Sequence, residues 1–177
     1  MLSAVAATEK SLLQLRPATV QDVGEILSLI RELADYEKLL HEVDASEDDL
    51  RRDLFGDTPR AHCDIAMWNG EVAGMALWFY NYSTFLGRAG IYLEDLFVRP
   101  AFRGHGIGKS LIAYLAQRCI DENLSRLQWS VLDWNAPSIA FYESLGADVM
   151  REWLACRMSR KAIDTLATSY SPVEASP

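Results

Sequence analysis

The sequence predicts an α/β (α+β) fold in which helices pack on a mixed sheet. An Asn69-Gly70 pair joins two strand-like runs, and this dipeptide is the strongest short-range signal for a hairpin. Farther along, strand-like and helix-like segments alternate, as they do where helices cover a sheet. With 177 residues, of which 50% are hydrophobic, the chain is long enough for one domain with a substantial core.

The N-terminal third is predicted to hold one strand and two helices. Residues 13–16 form a short strand-like run. Thr19 is a typical N-cap, and apolar residues then recur at helical spacing over residues 23–34. Ser46, followed three residues later by an acid, predicts the start of a short acidic helix that ends near Gly56.

The middle third is predicted to consist of strands. Residues 62–68 and 72–82 are the two runs joined by the Asn-Gly pair. Residues 83–90 are predicted to be a loop, and residues 91–98 a third strand that Pro100 stops.

The last third alternates between helix and strand. Helical patterns cover residues from about 108 to 123 and residues 138–145, and strand-like runs cover residues 127–132 and 149–158. The predicted order is β-α-α-β-β-β-α-β-α-β.

The chain is expected to form a single domain over residues 13–167. Residues 1–12 are expected to be a flexible N-terminus, because their apolar run has no basic start that would indicate a signal peptide. Residues 168–177, rich in Ser and Pro, are expected to be a disordered tail. No window approaches the ~20 apolar residues of a membrane span.

Composition limits the classes of function. Cys63, Cys119 and Cys156 are odd in number and far apart, so we expect reduced thiols in the cytoplasm and no metal site. The net charge of −8 argues against nucleic acid as a partner. This acidity either attracts cationic ligands or only maintains solubility.

Residues 103–111, RGHGIGKSL, combine three glycines with a terminal Gly-Lys-Ser. A Walker loop needs glycine where Arg103 stands, and a dinucleotide pattern that begins at Gly104 needs glycine where Lys109 stands, so neither motif fits. Glycines still let backbone amides converge on an anion, and a helix that begins near Gly108 adds a positive partial charge. The segment is either an anion cradle flanked by two basic side chains or a tight turn without a ligand.

The pattern Arg103-x-x-Gly106-x-Gly108 resembles the acyl-CoA loop of the GNAT superfamily of N-acetyltransferases. The stretches YLEDLFV before it and VLDWNAPSIAFYESLGA after it resemble the adjoining strand and a later helix of that family, and the resemblance runs from Arg16 to about Leu166. It implies a GNAT-type mixed, mostly antiparallel, six- to seven-stranded sheet with helices on both faces. The stretches IRELADYEKL, YNYSTF and VLDWN are similar to the diamine/polyamine branch, the spermidine/spermine and thialysine acetyltransferases, which implies a cytoplasmic homodimer.

The resemblance also implies acetyl-CoA as co-substrate and no metal. The backbone at the end of the strand would bind the pantetheine arm and polarise the thioester carbonyl, because backbone amides are preorganised dipoles. The glycine loop would hold the pyrophosphate. The implied cofactor-binding residues are Leu96, Phe97, Val98, Arg103, Gly104, His105, Gly106, Ile107, Gly108, Lys109, Asn135 and Ser138.

Two residues match the family's catalytic positions. Tyr142 matches the general acid, since a phenol is protonated at neutral pH and can donate to a departing thiolate. Its alternative role is a core aromatic beside Phe141. Glu94 matches the residue that assists deprotonation of the amine through water. Its neighbour Asp95, which a regular strand points to the opposite face, is expected to be a buried hydrogen-bond anchor.

The acceptor is expected to be a small cation. Tyr36 and Glu37 match positions that line the amine site in this branch, although a solvated helix end explains them equally. The spermidine/spermine enzymes carry an acid and a Trp in the loop before YLED, where this chain has Ser83 and Phe85. The expected reaction is therefore acetylation of a primary amine of a diamine, a polyamine, or thialysine or a lysine-like amine, with long polyamines least favoured. Acetylation of a peptide N-terminus or a protein lysine, and acyl-CoA binding without turnover, stay open.

Overall fold

The computed structural model describes residues 13–170, which form two compact units divided after Leu132. The predicted flexible N-terminus over residues 1–12 and most of the predicted tail lie outside the described residues. None of the helices in the described range is long and apolar enough to cross a membrane.

The first unit is built on a five-stranded sheet in the order β1-β2-β3-β4-β5. The first four strands pair antiparallel, and β5 pairs parallel to β4. The sheet is therefore mixed and mostly antiparallel, as predicted. Its strands are β1 Leu13–Pro17, β2 His62–Trp68, β3 Glu71–Ser83, β4 Arg88–Val98 and β5 Leu127–Trp129.

The hairpin between β2 and β3 follows the prediction. Asn69 and Gly70 both adopt positive φ, 53° and 84°, as a tight turn between twisted strands requires. The hairpin between β3 and β4 is shorter than predicted, because both strands extend into the expected loop and leave only residues 84–87 between them.

Two helices cover one face of the sheet. Helix α1, Val23–Tyr36, and helix α2, Glu47–Phe55, begin after the predicted cap residues Thr19 and Ser46, although a single turn of 3-10 helix separates Thr19 from α1. Their apolar faces pack on this side of the sheet. The buried cluster consists of Val23, Ile26, Leu27, Leu29, Leu50, Leu54, Cys63, Ile65, Met75 and Phe97.

Helix α3, Ile107–Asp121, packs on the opposite face of the sheet. It buries Ile107, Leu111 and Leu115, and the Arg118 guanidinium carbon lies 4.9 Å from the ring centroid of Trp78 on that face. Helices thus lie on both faces, as expected.

A β-bulge interrupts β4 at Glu94. Leu77 of β3 pairs with Asp95, whereas the next residue, Trp78, pairs with Leu93, so Glu94 has no partner on β3. Because side chains alternate along a strand, Leu93 shares a face with Trp78 and Asp95 shares the other face with Leu77. The extra residue therefore moves Asp95 to the face that carries α1.

The second unit contains helix α4, Ala136–Ser144, and helix α5, Arg160–Ala167. Helix α4 agrees with the predicted helix, and Gly146 follows it at a φ of 90°. The predicted last strand over residues 149–158 is wrong, because this segment has no strand pairing, and all of it except the half-buried Val149 is exposed. A strand-like composition alone does not form a strand without a partner to satisfy its backbone.

The strand count needs a correction for the same reason. The sheet has five strands within residues 13–170, rather than six to seven. The predicted strand over residues 127–132 is confirmed only for its first three residues.

Candidate functional site

The C-terminal half of β4 has an open backbone edge. Strand β5 pairs with only Ile91, Tyr92 and Leu93, so its ladder stops just before the bulge. Residues 94–98 lie beyond that pairing while they stay paired to β3 from Asp95 onward. This edge includes the predicted residues Leu96, Phe97 and Val98. Backbone groups on the side of a strand that faces no neighbouring strand suit an extended ligand arm.

The glycine loop between β4 and α3 has the geometry of an anion cradle. Gly104 and Gly106 adopt φ values of 82° and 77°, which only glycine reaches without strain. Gly106 is the N-cap of α3, so the first backbone amides of a 15-residue helix open beside it. A Cβ at either glycine would meet no atom within 4 Å, so backbone conformation rather than crowding explains both residues.

The other predicted residues of the glycine loop differ in their exposure to solvent. Lys109 is exposed, Ile107 is buried in the core under α3, and Gly108 lies in the first turn of that helix. His105 is exposed, its Nδ1 lies 3.2 Å from the carbonyl oxygen of Phe102, and its ring is 4.8 Å from that of Trp68.

Arg103 connects the loop to β4 and to the end of α1. Its Nε donates a hydrogen bond of 2.9 Å to the carbonyl of Val98. Its guanidinium carbon lies 5.1 Å from the ring centroid of Tyr36 and 5.8 Å from that of Phe97. The structure therefore brings the predicted acceptor residue Tyr36 next to the predicted cofactor loop.

Near the bulge, the negative charges of Glu37 and Glu94 affect the pKa of Asp95. Glu37 is the C-cap of α1, and burial raises the pKa of its carboxyl. Burial, together with the negative charges of Glu94 and Glu37, raises the pKa of Asp95 to about 6. Glu94 itself is exposed. The three acids form a region of negative potential that favours a cation.

The expected role of Asp95 as a hydrogen-bond anchor is wrong. Its side chain makes no hydrogen bond within the described range, and burial beside two like charges sets its pKa. The sequence showed the acidic pair but not the bulge, and the bulge is what separates Asp95 from the α3 face.

The remaining predicted site residues belong to the second unit. Asn135 is the N-cap of α4, and its side-chain oxygen accepts a hydrogen bond of 3.3 Å from the backbone nitrogen of Ser138. Tyr142 lies on the same helix, half-buried, with its ring 5.3 Å from that of Phe141.

The family that the chain matches and two of its relatives are acetyltransferases. Residues 26–147 match the sequence profile of the acetyltransferase (GNAT) family. The chain is 43% identical over 164 residues to the thialysine N-epsilon-acetyltransferase of Bos taurus, covering 86% of this chain and 96% of that protein. It is 37% identical over 126 residues to the L-ornithine N5-acetyltransferase of Arabidopsis thaliana, covering 71% of this chain and 52% of that protein.

Solved structures share the fold. An integron cassette protein of V. cholerae superposes with a TM-score of 0.75 at 26% identity, covering 89% of this chain and 99% of that one. An aminoglycoside acetyltransferase from a soil metagenome superposes with a TM-score of 0.70 at 14% identity, covering 84% of this chain and 96% of that one.

The raised pKa of Asp95 predicts a pH-dependent effect of Asp95→Asn on stability. The pKa is about 6 in the folded protein against an ordinary value of 3.8, so the ionised carboxyl destabilises the fold as pH rises through this window. Asp95→Asn should raise the free energy of unfolding by roughly 2 kcal/mol at about pH 8 and by much less at about pH 4. Urea denaturation of both proteins at the two pH values measures this difference.

The exposed Asp57 provides the control. Asp57→Asn should change the free energy of unfolding by less than about 0.5 kcal/mol at either pH. A loss of stability for Asp95→Asn at pH 8, or a gain of equal size at both pH values, would contradict the raised pKa.

Proposed function

The chain belongs to the GNAT acetyltransferase family, and we propose that it transfers the acetyl group of acetyl-CoA to a primary amine of a small cationic acceptor. The observation that carries this proposal is the combination of an open backbone edge on β4, a positive-φ glycine cradle after this strand, and three acids, of which Glu94 and Asp95 lie on β4 and Glu37 ends α1. An acetyl-CoA arm and a cationic amine each have a complementary partner there.

The cofactor half of the site is formed by backbone groups. Acetyl-CoA supplies an acetyl group activated as a thioester. Gly104, Gly106 and the first amides of α3 would bind its pyrophosphate, with Lys109 contributing a full positive charge. Amides of residues 96–98 would donate to the carbonyl oxygen as negative charge develops on it, which is a task suited to fixed dipoles.

The acceptor half is formed by acids. An alkylamine has a pKa near 10, so it must lose a proton before it attacks. Glu94 would accept this proton through water, while Asp95 and Glu37 would attract the ammonium form into the site. Tyr36, held against Arg103, would form the wall between the acceptor and the cofactor loop.

Tyr142 would act as the general acid that protonates the CoA thiolate as it leaves. Asn135 and Ser138 would bind the CoA arm. These three assignments rest on the match to the family's motif, with α4 beginning at Asn135 as that motif requires.

Among possible acceptors, thialysine and lysine-like amines are the ones we favour. Relatives that cover most of the chain are named for thialysine, and another relative is named for ornithine. Ser83 and Phe85 occupy the loop where polyamine enzymes carry an acid and a Trp. Ser83 caps this turn by accepting a hydrogen bond from the Leu86 amide, and Phe85 is exposed.

We also propose that the enzyme works in the cytoplasm as a homodimer. All three cysteines are free, and burial raises the pKa of the Cys63 thiol, which makes it unreactive. Size-exclusion chromatography with light scattering tests the dimer.

An acceptor panel tests the proposed function. Thialysine, lysine, diamines, polyamines and short peptides are each supplied with acetyl-CoA, and release of free CoA is measured. Turnover with small amines and not with peptides is expected. Binding of acetyl-CoA without turnover of any amine would overturn the proposal, and turnover with peptides alone would replace the acceptor class.

Tyr142→Phe tests the general acid. Loss of the phenolic proton should lower kcat about 100-fold or more, while the KM for acetyl-CoA changes little. Tyr170→Phe removes an exposed phenol and serves as the control, with no expected change in rate. An unchanged kcat for Tyr142→Phe would refute the acid role.

Glu94→Gln tests the proton acceptor. The variant should lose most activity near neutral pH, where the amine is protonated, and recover part of it toward pH ~10, where the free amine is abundant. A pH–rate profile of kcat/KM for the amine measures this. Glu71→Gln, an exposed change at the start of β3, is the control. A loss of acetyl-CoA affinity with an unchanged profile would indicate a structural role instead.

A further inference from the structure

The stripe of helix α3 that faces the sheet contains charged side chains as well as apolar ones. Ile107, Leu111 and Leu115 are buried in this stripe. At about 100° per residue, Arg118 falls between Ile107 and Leu111 on the helix circumference, and the C-cap residue Glu122 falls between Leu111 and Leu115. An apolar residue at position 118 would continue the pattern. The sequence instead has an arginine there, followed about one turn later by a glutamate.

Arg118 contacts an aromatic ring of the sheet. Its guanidinium carbon lies 4.9 Å from the ring centroid of Trp78 on β3, a residue that is 2% exposed. A guanidinium over an indole is attracted by the negative face of the ring, and the attraction is stronger where water is excluded. The contact therefore joins the last turns of α3 to the middle of β3.

The ring of Trp78 is itself held in place by neighbours on the same face of the sheet. Its Nε1 donates a 2.7 Å hydrogen bond to Oδ2 of Asp64, a residue that is 2% exposed. The ring centroids of His62 and Tyr80 lie 4.5 Å and 5.2 Å from that of Trp78. Burial raises the pKa of Asp64, whereas the hydrogen bond from Trp78 and the positive charge of Arg118 lower it. Arg118 thus compensates a buried carboxylate while it packs on the ring that this carboxylate orients.

A second contact between α3 and β3 lies farther along both elements. Glu122 accepts a 2.6 Å hydrogen bond from the Tyr80 hydroxyl and forms a 3.1 Å ion pair with Arg118. Residues 118 and 122 are about 6 Å apart along the helix axis, and residues 78 and 80 are about 7 Å apart along β3. Because the two spacings match, both contacts are made at one position of α3 along its axis.

Arg118 has a cost in stability that an apolar side chain would not have. Its Nε is buried and has no hydrogen-bond partner among the described residues, so this group loses its hydration without replacement. What the arginine adds is direction. Apolar contacts are non-directional, so similar side chains four residues apart fix the position of a helix along its axis less strictly than polar contacts do. We infer that the charged part of the stripe specifies where α3 lies.

The position of α3 along its axis matters because this helix begins at the glycine loop. Gly106 is its N-cap and lies about 18 Å from Arg118, at a rise of about 1.5 Å per residue. A continuous helix transmits a displacement along its axis, so a slide at Arg118 would move the first amides of α3 by a similar distance. A misplacement of about 1 Å is enough to weaken aligned interactions by an order of magnitude or more.

We propose that Arg118 and Glu122 are positioning residues for the cofactor. Through their contacts with Trp78 and Tyr80 they fix where α3 lies along the sheet, and so where its first amides meet the pyrophosphate of acetyl-CoA. They act through the helix and do not touch the cofactor, and Asp64 supports them by orienting the Trp78 ring. This proposal rests on the proposed function, because it requires the glycine loop to bind the pyrophosphate.

A double variant tests the proposal without leaving a buried carboxylate uncompensated. Asp64→Asn removes the charge but keeps an oxygen that can accept the Trp78 hydrogen bond, and Arg118→Met is then added to continue the apolar stripe. Relative to Asp64→Asn alone, the double variant should stay folded in urea denaturation. Its Kd for CoA, measured by titration calorimetry, should rise about 10-fold or more because the cradle is misplaced. The KM for acetyl-CoA should rise as much, with kcat changed less than about threefold.

A truncated donor separates placement of the cradle from general damage to the enzyme. S-acetylpantetheine lacks the pyrophosphate, so its kcat/KM should differ less than about twofold between the same two proteins. Arg118→Lys in the Asp64→Asn background keeps a cation at the Trp78 ring and should retain most of the affinity for CoA. An unchanged Kd for CoA in the folded double variant, an equal loss of kcat/KM with both donors, or a lysine variant as weak as the methionine variant would overturn the proposal.

Gln117→Met is the matched control, because Gln117 is an exposed neighbour whose side-chain amide bonds Asp121 of the same helix. It should leave the Kd for CoA unchanged. Tyr80→Phe covers the case in which the double variant does not fold.

Tyr80→Phe removes only the hydroxyl that bonds Glu122, so it should raise the Kd for CoA about twofold or more. An unchanged Kd in this variant would then overturn the proposal. Failure of the proposed function has a different result, namely binding of CoA by the unmodified protein without acetylation of any amine. An unmodified protein that binds no CoA would overturn both.

Discussion

The β-bulge at Glu94 is the constraint on which the candidate site depends. In a regular strand Asp95 would share a face with Leu93 and lie under α3, where a carboxylate has no suitable partner. One extra residue moves Asp95 to the face of α1 and places it near Glu37. The same irregularity ends the pairing with β5 at Leu93, which leaves the following backbone edge open. A single local feature thus places Asp95 near the other two acids and leaves open the edge that we propose for the cofactor arm.

Arg103 makes the two halves of the site interdependent. It bonds the carbonyl of Val98 at the end of β4, and its guanidinium lies against the ring of Tyr36 at the end of α1. Helix α1 is itself tied to the sheet at this end, because Arg99 pairs with Glu32 and also donates to the carbonyl of Val72. A shift of the glycine loop would therefore also shift the contact between Arg103 and Tyr36. One network of contacts therefore links the glycine loop to Tyr36, the residue that we propose as a wall of the acceptor site.

The sequence predicts the features that depend on local backbone rules. The Asn69-Gly70 turn, the Ser46 cap and the glycines of the loop each need a particular residue at a particular φ or cap position, so the residue type reveals the structure. Bulges and registers depend on pairing between distant residues and have no local signature. For that reason the sequence identifies the loop but assigns Asp95 the wrong role. The segment over residues 149–158 shows the opposite error, because its strand-like composition indicates a strand that has no partner in the described range.

The cluster formed by Glu37, Glu94 and Asp95 has a cost in stability that a cationic acceptor would offset. Burial and two neighbouring negative charges raise the pKa of Asp95, and no cation within the described residues is among the causes that set it. The folded protein therefore holds three carboxylates together with unfavourable electrostatic energy at neutral pH. An ammonium group bound beside Asp95 stabilises its ionised form and lowers its pKa, so binding and stability are linked.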